Sequence, residues 1–599
     1  MGLAKTFSQP LTIRGIAHLL HHNRDENETM TPQKGWQRVA VKQMFVKFVV
    51  ETNTFSMKRN TLLVLLSAAL LSAGWLGLSG ITLLVALIPL LIISERYSDS
   101  RRDWWRMCGW AALTFLLWSA ATIWWVWIAT PLGPITAGIV GTFWNLVAFM
   151  TYHYVVKRAP RALAYTLLVA LWITTEYIYN SAEVMTFPWL LLGHGFSADI
   201  WAVQWYEYTG IFGGTLWVLA ANLAIFEIVR TRTKTARVRA AIITLVPILL
   251  SIGLYFGYTP STKKTTISVI QPNVPCYEAR PNDTFDNICR MMTQIPAEAS
   301  FALMPESALE YIPEVEYYNY LDEYVAPTES RTPRALTSST IDEQHTERLV
   351  ELFTQMPSIH IPDCRFIIGA STMQRYGDTP ATTTARHHDL LGYYDNFNSA
   401  LYVDMTRGEV EQIYHKGKLV IGVEAVPLKG LFDLFEVDLG GVSGQLGWGG
   451  EHKVFDNNGV KIGPAICYEG LYGEYYAGFA KQGAEVMAII SNDGWWGNTP
   501  GHKRLFDFCR LRAIETRRAI ARSANTGISG FISPRGDVVG DRLEWDEQGI
   551  LTAEVELRDE QTIYTRYGDW VARISCFIAI LSLLYYVAYR VRRRNHLVD

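Results

Sequence analysis

The sequence predicts a multi-pass α-helical membrane domain, then an α/β domain, then one closing membrane helix. Three observations carry this. Residues 60 to about 258 are dominated by long apolar runs, Lys and Arg fall only in alternate connections between those runs, and strand-length apolar segments alternate with helical patterns from 265 to 539. A mean hydropathy of +0.08 over the 599 residues averages these two regimes. The net charge of −3 gives no electrostatic case for nucleic acid. The seven cysteines form no CxxC pair and have no His at ligand spacing, so no metal and no cofactor are expected.

Residues 1–56 are polar and basic without a long apolar run, and Met57-Lys58-Arg59-Asn60 opens the first apolar stretch. The leading segment reads as a cytoplasmic tail or as an over-extended start, the second being favoured. A bilayer core of about 30 Å needs about 20 apolar residues per helix. Spans are expected at 60–78, 80–94, 109–130, 134–154, 161–179, 210–229 and 238–258, with an eighth at 572–590. The second is short, and Glu176 lies near the end of the fifth.

Arg96, Arg101, Arg102 and Arg106 follow the second span, Lys157, Arg158 and Arg161 the fourth, and Arg230 to Arg239 the sixth. The tail carries Arg590 and Arg592 to Arg594, whereas the connections near 79, at 130–134 and at 180–209 hold no Lys or Arg. By the positive-inside rule the basic connections are cytoplasmic, which puts residues 259–570 on the opposite face. The connection at 180–209, with Phe187-Pro188-Trp189-Leu190, Trp201 and Trp205, reads either as an interfacial aromatic belt or as a re-entrant loop shaping a lipid-facing cleft.

In the α/β part, strands are expected at Thr266–Gln271, Phe301–Met304, Phe366–Ala370, Asn398–Asp404, Lys461–Cys467, Glu485–Ser491 and Ile520–Ser523. Helices are expected at Asp283–Ile295, Ile341–Gln355, Tyr472–Gly483 and His502–Ala519, and a hairpin at Gly527–Val539. Apolar runs between helices indicate a sheet covered by helices.

Chemistry concentrates just past three strands. Ile462–Ile466 runs into Cys467-Tyr468-Glu469, where a turn into a helix can present the sulfur to a cleft with helix amides nearby to lower its pKa. Pro305-Glu306-Ser307 places a carboxylate after another strand, and Tyr414-His415-Lys416 supplies an amine between them. Singly, each has a plainer reading: a buried structural thiol, a helix-capping Glu306, a surface Lys416 beside Lys418.

Together, Glu, Lys and Cys in that order resemble the catalytic triad of the nitrilase (carbon–nitrogen hydrolase) superfamily, which implies a four-layer αββα sandwich. With seven leading spans and one trailing span, the chain resembles bacterial apolipoprotein N-acyltransferases over roughly residues 57–595. The supporting signatures are Phe187–Leu190, Phe397-Asn398-Ser399-Ala400-Leu401, Leu419-Val420 with Glu424, Ser491-Asn492-Asp493 with Trp495-Trp496-Gly497, Arg522–Ser529 and Tyr564–Trp570. One departure is that Leu419–Glu424 reads Leu-Val-Ile-Gly-Val-Glu where the family has Leu-Val-Pro-Phe-Gly-Glu, so the turn before Glu424 must differ.

The resemblance implies Cys467 as nucleophile, Glu306 as proton acceptor and Lys416 as the cation that favours the thiolate and stabilises the oxyanion. Glu424, Tyr468, Glu469, Asn398, Trp189, Trp495 and Trp496 would support the site or bind substrate; read without it, Glu424, Tyr468 and Glu469 are ordinary polar residues and the two tryptophans core or lid. It implies a phospholipid acyl donor, a diacylated apolipoprotein acceptor, a monomer, and a multi-pass protein of the bacterial inner membrane with its catalytic domain facing the periplasm. The expected layout is a tail at 1–56, a membrane domain at 57–260, a catalytic domain at 261–570, and a last helix with a basic tail at 571–599. The glycine-rich apolar stretch Leu428–Trp448, with Phe432 and Phe435, is expected to wall a lipid-accessible cleft. The rival readings are a membrane-anchored nitrilase-type amidase and a transporter or scaffold with a degenerate soluble domain.

Overall fold

The computed structural model describes residues 57–182, 186–276, 284–313, 364–388, 392–405, 409–425 and 446–595. The tail at 1–56, the helix expected at Ile341–Gln355 and positions 428–445 of the cleft-wall stretch lie outside the described residues.

The apolar runs fold as helices α1 (Met57–Ser72), α2 (Ile88–Arg96), α3 (Arg101–Ile123), α4 (Gly133–Val156), α5 (Arg161–Ser181), α6 (Tyr206–Thr231), α7 (Lys234–Phe256) and, at the far end of the chain, α12 (Trp570–Asn595). Five of them, α4 to α7 and α12, are long and apolar enough to cross a membrane. Two expectations need correction. The first helix stops at Ser72, where the chain turns beneath Gly195: a Cβ on Gly74 would lie 2.5 Å from the Gly195 carbonyl oxygen. The second span is no continuous helix but a 3₁₀ turn at Gly80–Thr82, a single turn at Leu83–Ala86, and α2. Asn222 of α6 breaks it, accepting from the Leu87 N–H at 2.8 Å and donating to the Leu83 carbonyl at 2.7 Å.

The basic connections gather at one end of the bundle. There Arg161 pairs with Glu95 at 2.6 Å and Arg158 with Asp99 at 3.3 Å, beside Tyr154 and Tyr586 of the last helix. The Lys- and Arg-free connections meet the α/β part at the other end. Trp125 packs on Trp496 with centroids 4.9 Å apart, Gln204 donates to the Arg535 carbonyl at 2.9 Å, and Tyr255 donates to Asp537 at 2.7 Å.

The α/β part holds strands β1 (Lys264–Gln271), β2 (Phe301–Leu303), β3 (Leu309–Pro313), β4 (Arg365–Gly377), β5 (Arg386–His388), β6 (Gly392–Asp404), β7 (Glu409–His415), β8 (Phe455–Asn457), β9 (Val460–Ile466), β10 (Val486–Ser491), β11 (Ala519–Ala524), β12 (Ser529–Ile532), β13 (Val538–Leu543) and β14 (Gly549–Glu556). Its helices are α8 (Thr284–Met292), α9 (Gly473–Lys481), α10 (Pro500–Thr516) and the single turn α11 (Ile563–Tyr567). The strands form one sheet in the order β14-β1-β2-β4-β6-β5, with β3 on β4 and β7 on β6, and a second in the order β13-β12-β11-β10-β9-β8. The sheets face each other through Ile267, Phe301, Ile367 and Tyr402 on one side and Ile462, Ala488, Ile490 and Ala521 on the other. Ile288 and Met292 of α8 cover the outer face of the first sheet against Phe366 and Leu401. Phe479 of α9 and Leu505 and Phe508 of α10 join the core on the other side, completing the αββα layering.

Strands β9, β10 and β11 are parallel and buried on both faces, which is why they read as continuous apolar runs rather than alternating ones. The helix expected to reach Ala519 ends at Thr516, because Arg517 adopts a left-handed conformation (φ 49°). Strand β14, which no motif marked, pairs along the whole of β1.

Candidate active site

Three strand ends converge. Cys467 follows β9 and opens a 3₁₀ turn, Cys467–Leu471, with φ +47°. A non-glycine residue at positive φ is uncommon and tends to mark a site where the surroundings hold a strained backbone. Glu306 lies just past β2, and Gly369 of β4 allows that approach: a Cβ there would sit 2.5 Å from the Glu306 Cα. Lys416 directly follows β7, and its N–H donates to the Asn398 carbonyl of β6 at 2.8 Å.

The side chains form one buried cluster. Lys416 Nζ donates to Glu306 Oε1 at 3.0 Å and to Glu424 Oε1 at 2.9 Å. Asn398 Nδ2 bridges the same two oxygens, at 2.7 and 2.8 Å. Glu306 Oε2 accepts from the Asn492 N–H at 2.9 Å, just past β10. Despite the altered turn, Glu424 reaches the cluster: its Oε2 accepts from the Val420 N–H at 2.8 Å, and Gly422 (φ +89°) lets the turn close. Burial opposes the charge of Lys416, yet Glu306 and Glu424 hold its ammonium well above the ordinary lysine range.

Cys467 departs from the sequence expectation of a lowered pKa. Burial pushes its thiol well up, the Glu306 carboxylate pushes it further, and Lys416 compensates only in part. Burial thus favours the thiol form of Cys467.

Glu469 braces the turn. Its Oε1 accepts from Tyr414 Oη at 2.6 Å and the Gly417 N–H at 2.7 Å, while its Oε2 accepts from the Ile466 N–H at 2.7 Å. One carboxylate thus ties the Cys467–Leu471 turn to the strand end that carries Lys416, and burial pushes it up to about 7. Tyr468 is buried and stacks on Phe187, centroids 6.5 Å apart.

In the 180–209 connection, described outside 183–185, Trp201 is exposed whereas Trp189 is fully buried. The connection contains 3₁₀ turns at Pro188–Leu190, Leu192–Phe196 and Ile200–Ala202. Trp189 packs against Trp125 (4.8 Å), Phe508 (5.0 Å) and Trp496 (6.0 Å), making an aromatic seam between the helices and the α/β part. Trp495 and Trp496 lie in a half-buried 3₁₀ turn, Gly494–Trp496, of which Trp496 joins the seam. The described end of the cleft-wall stretch is anchored beside the cluster: Leu446 donates to the Glu424 carbonyl at 2.9 Å and Trp448 to the Gly417 carbonyl.

Sequence reasoning gave no role to Asn492, Tyr414 or the buried Arg522–Asp493 ion pair at 2.9 Å. All four lie inside quoted motifs, Asn492 and Asp493 just past β10 and Tyr414 and Arg522 within β7 and β11, so motif membership was the available signal. The sequence offers no sign that a backbone N–H, at Asn492, does the holding.

Two family models match the chain: the apolipoprotein N-acyltransferase N-terminal domain over residues 63–224 and the carbon–nitrogen hydrolase over 267–564. The chain belongs to the apolipoprotein N-acyltransferase family. Among curated relatives, the apolipoprotein N-acyltransferase of Chlorobaculum tepidum is 26% identical over 84% of this chain and 91% of its own length. That of Geobacter metallireducens is 24% identical over 90% and 97%. An amidase from Nesterenkonia sp. of known structure covers 52% of this chain and 95% of its own at 15% identity, with a TM-score of 0.33. The family is one of membrane acyltransferases, which accords with the apolar helices here.

Proposed function

We propose that the chain moves an acyl chain from a phospholipid, through a thioester on Cys467, to the α-amino group of the N-terminal S-diacylglyceryl-cysteine of apolipoproteins. The observation that carries the mechanism is the buried Glu306–Lys416–Glu424–Asn398 cluster beside Cys467, on the side of the sandwich that meets the helices. In the first step Glu306 takes the thiol proton as sulfur attacks the ester carbonyl. Lys416 faces the developing oxyanion, the ester C–O bond breaks, and Glu306 returns the proton to the departing lysophospholipid oxygen. In the second step the acceptor amine attacks the thioester, the C–S bond breaks, and its proton passes through Glu306 to the sulfur. Glu424 and Asn398 hold Glu306 and Lys416 in place, and Glu469 and Tyr468 hold the turn. The aromatic seam, with Trp189, Trp495 and Trp496, and the Leu428–Trp448 stretch form the lipid-facing wall.

The layout proposed is a membrane domain at 57–260, a catalytic domain at 261–570 and an anchoring helix from 571, working as a monomer in the bacterial inner membrane. The catalytic domain faces the periplasm, supported by its position at the end of the bundle opposite the basic connections. Reporter fusions after Arg237 and Lys263 should read as cytoplasmic and periplasmic; the same signal from both would refute that orientation. An amidase would use the same cluster but has no need of the helices or the seam. Incubation with phospholipid should yield lysophospholipid and acylated Cys467 by mass spectrometry, and a diacylated peptide should then gain an amide. Release of free fatty acid to water with no transfer to the peptide would favour the hydrolase instead.

A further inference from the structure

The nucleophile turn is held at both ends, and only the first hold belongs to the catalytic domain alone. Its last carbonyl, at Leu471, accepts from Arg512 Nη1 of α10 at 3.0 Å. Arg512 Nη2 in turn donates to Glu515 Oε1 at 2.8 Å, and both side chains are fully buried. Glu515 Oε1 also accepts from the N–H of Ile211 at 3.0 Å. Ile211 belongs to the membrane helix α6 and follows Gly210, whose φ of 60° and ψ of −169° break the helix. The break exposes N–H groups with no partner one turn earlier, and a carboxylate suits such a helix start. The ring of Tyr564 fills the notch: a Cβ on Gly210 would lie 2.2 Å from it. Tyr564 Oη donates to Asp569 at 2.7 Å, next to the start of α12. Gly473, at the start of α9, leaves the room, since a Cβ there would stand 3.0 Å from both Arg512 Nη1 and Glu515 Oε2.

A fully buried ion pair is weak evidence for stability, because apolar residues of similar volume often serve as well or better. What this pair adds is direction: it fixes a carbonyl of a strained turn relative to a broken membrane helix. We propose that Arg512 and Glu515 are positioning residues, a strut that sets the Cys467–Leu471 turn in register with the kink of the membrane helix at Gly210. The strut needs the acyl-transfer reading only for its effect on turnover; its effect on the thiol does not depend on it.

The test uses the full-length protein in phosphatidylethanolamine vesicles with a diacylated peptide, comparing Glu515→Gln, Arg512→Lys and the double variant Arg512→Met/Glu515→Leu. The measurements are kcat and KM for phospholipid, alkylation of Cys467 by iodoacetamide followed by peptide mass spectrometry, and thermal unfolding. The double variant should stay folded, with kcat and the Cys467 alkylation rate each lowered about tenfold to a hundredfold, as for a reacting group moved by a fraction of an ångström to an ångström, and KM unchanged. Arg512→Lys, which keeps one donor toward Leu471, should fall between. A folded double variant with wild-type kcat and alkylation overturns the strut, and so does loss of folding in the double variant and Glu515→Gln alike. Slowed alkylation in the variants together with absent transfer by the wild type would leave the strut standing and remove the acyltransferase reading.

Discussion

The Glu306–Lys416 cluster and the aromatic seam lie side by side and are made of opposite materials. Around Glu306 and Lys416 the contacts are charge-assisted hydrogen bonds of 2.7–3.0 Å, each between one donor and one acceptor. Along Trp125, Trp189, Trp496 and Phe508 they are ring contacts with centroids 4.8–6.0 Å apart, spread over many atoms. The first kind is directional and fails when one atom is removed, because its partner is left buried and unsatisfied. The second loses only the area or stacking of the group taken away. Substitutions should therefore act as steps in the cluster and as slopes in the seam.

The largest step is expected at Cys467, the proposed nucleophile. Cys467→Ser should leave the protein folded and inserted but without turnover, since an alcohol in the same strained turn is far harder to deprotonate. Near-normal acyl transfer by that variant would end the thioester mechanism. Next comes the cluster. Glu306→Gln should block acylation of Cys467, and Lys416→Ala should lower it about a hundredfold or more, as loss of one oxyanion donor does elsewhere. Lys416→Ala also leaves Glu306 and Glu424 facing each other without their cation, so a clear fall in the unfolding midpoint should accompany it. An unchanged midpoint with lost activity would mean that the two carboxylates are not held by Lys416.

The same contrast explains what could be read in the sequence. The cluster was legible in part: Glu306 and Cys467 follow recognisable apolar strands, β2 and β9, whereas Lys416 follows β7, a largely polar segment where no strand was expected, and was marked only by its place after His415. The seam was only half legible. Trp189 and Trp496 stood out as aromatic, but their burial against Trp125 and Phe508 depends on packing between distant elements, which has no local pattern. The broken second span was hidden for a related reason, since its break is made by Asn222 from another helix. The pKa of Cys467 was misjudged because sequence displays nearby charges and helix starts but not desolvation, and here desolvation is the larger effect.

A smaller effect tests the boundary between the two regions. Burial raises the Glu469 carboxyl from 4.5 to about 7. Between those values the unfolded chain has lost this proton while the folded chain keeps it, so the folded state is favoured at the acid end. Its stability from this group falls as pH rises from about 4.5 to about 7. Glu515, raised likewise to about 7, contributes in the same direction. Glu469→Gln should reduce the slope of unfolding midpoint against pH in this window without abolishing it. An identical slope in wild type and variant would mean that Glu469 is ionised throughout, held by its N–H and O–H donors against burial.

The smallest effect is expected from Phe187→Leu, and it decides whether the seam is a wall or a support. Phe187 is half-buried and stacks on Trp189 at 5.7 Å and on Tyr468 at 6.5 Å. Leucine keeps most of the apolar area and loses only the ring stacking, worth about 0.5–1.5 kcal/mol, or roughly a few-fold to tenfold in an equilibrium. If the seam walls a lipid path, that loss should appear as a higher KM for phospholipid, with alkylation of Cys467 by iodoacetamide unchanged. Tyr468 is the neighbour of Cys467, however, so the same ring also touches the nucleophile turn. Alkylation slowed in proportion to the change in KM would mean that Phe187 positions the turn, and the division between charged steps and aromatic slopes would then fail at the residue where the two regions meet.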